Sequence, residues 1–127
     1  MKTLFLALLL VLAAPALAKS QLYLVEFEAN AAGSPTSEAQ AIELLETLII
    51  PSLESLAAER RIKAGGILVG ARAGAFVLSA GSHEEVTELV RALPGWGVLN
   101  WHVTPMESFS HRAELEKRVV KELKAGQ

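Results

Sequence analysis

GSHEEVTELVRALPGWGVLNWHVTPM, residues 81–106, reads as a capped helix, a tight corner and an alternating strand. Ser82 is placed to accept from the backbone N–H of Glu85 while the Glu85 side chain reaches back, the reciprocal capping-box pattern. Val86, Leu89, Val90 and Leu93 recur at helical spacing and mark one buried stripe. Leu93-Pro94-Gly95 ends the helix, because a residue followed by proline is pushed out of the α region. Beyond the corner, Leu99, Trp101 and Val103 face one way, and Asn100, His102 and Thr104 the other. Pro105 removes a ladder donor, so the strand ends there or runs along a sheet edge.

Working outward, Leu22 to Glu28 alternates as a first strand, with Tyr23, Val25 and Phe27 on one face and Leu24, Glu26 and Glu28 on the other. A small, polar loop over residues 30–37 follows, with Ser34 or Ser37 able to cap a first helix. Ile42, Leu45, Ile49, Leu53 and Leu56 mark that helix's buried face, and Pro51 predicts a kink or a split within it. Glu59-Arg60-Arg61 and Lys63 close it, and Ala64-Gly65-Gly66 stops it. Residues 67–70 and 75–78 are short apolar runs around Ala71-Arg72-Ala73-Gly74, which predicts a hairpin. Leu115, Val119 and Leu123 predict a C-terminal helix over about 111–123, with a Glu114–Arg118 pair on its exposed side.

The order is β-α-β-β-α-β plus a helix, the α+β, ferredoxin-like arrangement. It predicts a four-stranded antiparallel sheet with strand one between strands three and four, and both helices on one face. The opposite face then has no cover of its own, and an uncovered apolar sheet face calls for a partner.

The chain has 127 residues, enough for one domain. Lys2, the apolar run from Leu4 to Ala14 and the small-x-small site Ala16-Leu17-Ala18 read as an export signal over residues 1–18. The expected mature domain is 19–127, periplasmic or extracellular, with no membrane association after cleavage. There is no cysteine, and all 14 acidic residues are glutamate. Aspartate-based catalytic sets and the usual calcium loops are thereby excluded. A formal net charge of −2 gives no basic patch for nucleic acid. The histidines lie on separate elements without paired spacing, so neither a metal nor a cofactor is expected. A haem-handling role has only His102 and the tryptophans behind it.

Gly70, Phe76-Val77-Leu78, Ser82 with Glu84, Leu93-Pro94, Trp96 and Val103 together form a gap-free pattern from Gly70 to Met106. In this pattern the chain resembles the muconolactone delta-isomerase family, small proteins of the dimeric α+β barrel group. The resemblance implies the ferredoxin-like fold, a homodimer with two sheets meeting face to face, and isomerase chemistry. Gly66-Ile67 stands where members carry a Trp-Arg pair. Pro51, the export signal and the long C-terminal helix also set this chain apart.

Glu26 and His102 are the candidate catalytic pair. On neighbouring strands they would both project from the uncovered face, and a carboxylate beside an imidazole is equipped to move a proton next to a carbonyl. Trp96 and Trp101 are candidates to line a pocket for a flat ligand, Asn100 shares the His102 face, and Arg72 would clamp an anion at a pocket mouth. His83 reads as a surface residue. His111, beside Ser108 and Ser110, reads as a helix-start residue, since no acidic third member accompanies it in the sequence pattern. Two functions remain open: a small-ligand barrel with proton-transfer chemistry on an apolar or carboxylate ligand, and a non-catalytic dimerisation or partner-docking module.

Overall fold

The structure is a computed structural model, and it describes residues 20–127; the export-signal reading lies outside them. Its elements are β1 (Gln21–Ala29), α1 (Glu38–Leu44), a π-helical turn (Leu45–Ile49), α2 (Ile50–Ala58), β2 (Ile62–Ile67), β3 (Ala73–Ala80), α3 (His83–Arg91), β4 (Leu99–Met106) and α4 (Phe109–Ala125). The four strands form one sheet in the order β2-β3-β1-β4, with every pairing antiparallel. This is the α+β, ferredoxin-like arrangement with an additional C-terminal helix.

The core lies on one face of the sheet. Tyr23, Val25, Phe27, Phe76 and Leu78 are buried there against Val86 and Val90 of α3, with Leu56 of α2 packed at the margin. The Ser82 cap forms as the sequence predicts, accepting from Glu85 N at 3.2 Å, while the Glu85 carboxylate accepts from Gly81 N at 2.7 Å. β4 carries Pro105 along the sheet edge, where its missing N–H faces no neighbour.

The expected interruption of the first helix lies just upstream of Pro51. The helix runs on through the π turn over Leu45–Ile49, in which Ile50 N donates to Leu45 O. That wider turn brings Pro51 to the first positions of α2, where an absent N–H leaves nothing unpaired. The first helix is therefore one arm, α1–π–α2, capped by Ser37.

Sequence spacing also misplaces β2. The arm ends at Ala58, and β2 begins at Ile62, so Gly65 and Gly66 lie within a strand instead of stopping a helix. Residues 68–72 are the hairpin tip, closed by Leu68 N donating to Ala73 O at 3.0 Å, with Gly70 at φ +85°. In α4, Glu114 pairs with Lys117 at 2.9 Å, not with Arg118.

Two polar ties hold the arm and α3 in place. Ser52, buried beneath α2, donates to Leu48 O at 2.6 Å and accepts from Gly95 N at 2.7 Å, fixing the Pro-Gly corner to the arm. Ser52→Ala strands that buried N–H and should cost about 1–3 kcal/mol in a urea melt; an unchanged midpoint would contradict the tie.

Arg61 is the second tie. It donates to Glu59 and to Glu85, each at 2.8 Å, joining the end of α2 to the start of α3. Its hydrogen bonds hold the Glu59 carboxyl below the ordinary 4.5, and with Gly81 N they do the same for Glu85. Both carboxyls are thus more acidic folded than unfolded. Their contribution is complete above about pH 4.5 and is lost as pH falls through the lowered values. A Glu59→Gln/Glu85→Gln variant should be less stable than the parent at neutral pH, with the gap closing in acid; a gap independent of pH would refute this.

Candidate ligand cavity between the first helix and the sheet

The arm does not sit flush on the sheet. The Phe27 ring fills the space over Gly74, where a Cβ would come within 2.4 Å of it. Leu45, Ile49 and Leu53 of the arm leave space between themselves and the sheet. The result is a cavity of about 340 Å3. Its floor is Phe27, Leu99 and Trp101, with the Phe27 and Trp101 rings 5.1 Å apart, and its roof is the π turn and α2. A volume of this order holds a small molecule. A second hollow of about 380 Å3, between α2 and β2, shares Phe27, Leu53, Leu56 and Ile67 with it.

Polar groups on the cavity wall are few. Ser52 has both its hydrogen bonds committed within the protein. Among the described residues Arg72 is the one charged residue in the wall, and its guanidinium donates to Gly33 O at 3.1 Å and to Ser34 Oγ at 3.3 Å. These two bonds use one N–H on each terminal nitrogen, so the fork keeps further donors for an anion. Among the described residues no carboxylate or imidazole lines this space.

The uncovered sheet face carries the other candidates. Glu26 stands directly opposite His102, and Glu28 opposite Asn100, so the strand neighbours expected from the sequence are in register. Both members of the Glu26–His102 pair are exposed, and they border a shallow hollow of about 530 Å3 with Asn100 and Leu68.

The residues singled out in the sequence therefore fall into separate places. Arg72 belongs to the cavity, Glu26, His102 and Asn100 to the hollow on the opposite face, and Trp101 lines both. Trp96 is in neither. It lies under the Arg91 guanidinium, 4.9 Å from the ring centroid, and its carbonyl accepts from Trp101 Nε1 at 3.1 Å. His83 is exposed, with its ring edge-on to Tyr23. His111 does have an acidic partner, contrary to the sequence reading. Glu107 accepts at 2.9 Å from its Nδ1 and also holds Arg112, while Ser108 Oγ caps His111 N. That cluster is exposed helix-start capping, with the serine engaged by the backbone.

Sequence reasoning passed over the arm's Leu45, Ile49 and Ser52 as site residues. The signal was the helix-period stripe itself, read as filled core.

No known protein family matches the chain, and no curated protein sequence does. Among solved structures it is similar to a 5-chloro-2-hydroxyhydroquinone dehydrochlorinase from Burkholderia phenoliruptrix, in complex with 2,5-dihydroxybenzoquinone. The two share 22% identity with a TM-score of 0.49, over 71% of this chain and 97% of that one.

Proposed function

We propose that this protein is an exported homodimer that binds a small, mainly apolar acid in the cavity between the arm and the sheet. The observation that carries this reading is an apolar space of about 340 Å3 whose wall, among the described residues, holds a single charge, the partly uncommitted guanidinium of Arg72. A flat hydrocarbon body would stack on Phe27 and Trp101, and its carboxylate would take the free donors of Arg72. The resemblance to muconolactone isomerases and the uncovered sheet face support the dimer; the leader-like residues 1–18 support export.

The test is calorimetric titration of residues 19–127 with a panel of lactones and aromatic acids, each acid beside its neutral amide. The acids should bind at least about tenfold more tightly than the amides, the worth of one charge-assisted hydrogen bond. Equal affinity for acid and amide would remove Arg72 from the site, and binding by neither would remove the cavity.

A second reading places proton transfer on the uncovered face. It is favoured by the direct cross-strand register of Glu26 and His102, in which a two-fold partner sheet would enclose both groups. Glu26→Gln should then abolish turnover of a bound lactone while leaving its affinity intact; full turnover in that variant would refute catalysis by Glu26.

A further inference from the structure

The cavity has an apolar rim. Leu45, Leu53 and Ile67 line it and are yet 47%, 38% and 50% exposed. The arm carrying the first two bears Glu38, Glu43, Glu46 and Glu54, and no lysine or arginine from Glu38 through Ala58. α4 has the opposite character. Arg112, Lys117, Arg118, Lys121 and Lys124 outnumber its three glutamates. Val119, Val120 and Leu123 share an arc of about 100° around it, at 3.6 residues per turn. Those three and Phe109 are exposed at 37%, 48%, 66% and 98%, and only Leu115 is half-buried. A helix of this length gains little stability in water unless its apolar arc is packed.

We propose that α4 of one copy docks along the α1–π–α2 arm of a second copy, its apolar arc over the cavity rim and its basic flank beside the arm's glutamates. α4 is about 25 Å long and the arm about 30 Å, at 1.5 Å per residue, so the two match. Facing sheets lie about 10 Å apart, so a helix leaving the β4 edge is long enough to pass a partner's sheet and reach its helical layer. The charges set direction and register, and the apolar arc supplies the burial. In a two-fold pair the exchange is reciprocal, and each cavity is closed by the other copy's helix. Closure of the cavity rests on the ligand reading above; the docking does not.

The chain has no cysteine, so Leu53→Cys and Val120→Cys each introduce a unique thiol. The two single variants, one carrying an affinity tag, are mixed and gently oxidised. A disulfide-linked pair of tagged and untagged copies is expected. Lys117→Glu/Lys121→Glu/Lys124→Glu on the Val120→Cys copy should slow linking at least about tenfold. Glu43→Lys/Glu46→Lys/Glu54→Lys on the Leu53→Cys copy should restore it. The doubly substituted chain linking only within itself would assign α4 to its own arm and overturn the proposal, as would no linking at all.

Closure is read with 1-anilinonaphthalene-8-sulfonate, an apolar anion. Its release from the linked pair should be about tenfold slower than from unlinked protein, and unchanged release would overturn closure. Failure of the probe to bind any form would count against the ligand reading alone, because the cross-link is read without it.

Discussion

Gly65→Ala should lower the melting temperature by about 15 °C or leave the domain unfolded. A Cβ at residue 65 would come within 2.5 Å of Ala75 O and Phe76 Cβ, and within 2.6 Å of Phe76 Cα. Two of those atoms are backbone and the third is a buried side-chain root, so none can swing aside. The residue also sits at φ +153°, a conformation that side chains other than glycine rarely adopt. Overpacking and backbone strain cost about 1–3 kcal/mol each, and together they consume much of a small domain's stability. Gly66 supplies the control. Nothing lies within 4 Å of a Cβ placed there, so Gly66→Ala should change stability by about 0.5 kcal/mol or less. Equal melting temperatures for the two variants would show that β2 does not cross Phe76 as described.

Ala41→Trp should weaken acid binding by about a hundredfold or more while the protein still folds. Ala41 lines the cavity from α1 and is half-buried. An indole grown from it enters the space proposed for the ligand, and alanine-to-tryptophan in a helix costs only about 0.5 kcal/mol of propensity. A hundredfold loss is about 2.7 kcal/mol, within what exclusion from an apolar pocket removes. Glu26→Gln and His102→Gln, on the opposite face, should leave affinity unchanged. If those two abolish binding and Ala41→Trp does not, the ligand belongs on the uncovered face.

The residues that alternate or repeat without interruption were legible in the sequence. Tyr23/Val25/Phe27 and Val86/Leu89/Val90/Leu93 settle on the core face because burial of one face fixes both periods. Two places were not legible. Gly65-Gly66 carries the usual helix-stop chemistry, but here glycine answers a tertiary demand, the close passage of β2 over Phe76. Pro51 signals a break that the π turn upstream absorbs. The cavity was the least legible feature. Leu45, Ile49 and Leu53 have the spacing of a filled core, and only the stand-off of the arm from the sheet leaves them facing space. Glu107 escaped notice for a related reason. Its pairing with His111 becomes visible only once β4 is seen to run into α4 through a short link.

The chain has 2 tryptophans, of which one lines the cavity. Trp101 lines the cavity, whereas Trp96 lies outside it against Arg91. In a 1H–15N spectrum titrated with the tightest acid of the panel, the Trp101 indole and the amides of Leu45, Ile49 and Leu53 should move together and saturate. The amides of Glu26 and His102 should stay in place. Shifts confined to Glu26, Asn100 and His102, with the amides of the arm unmoved, would contradict the assignment of the cavity as the binding site.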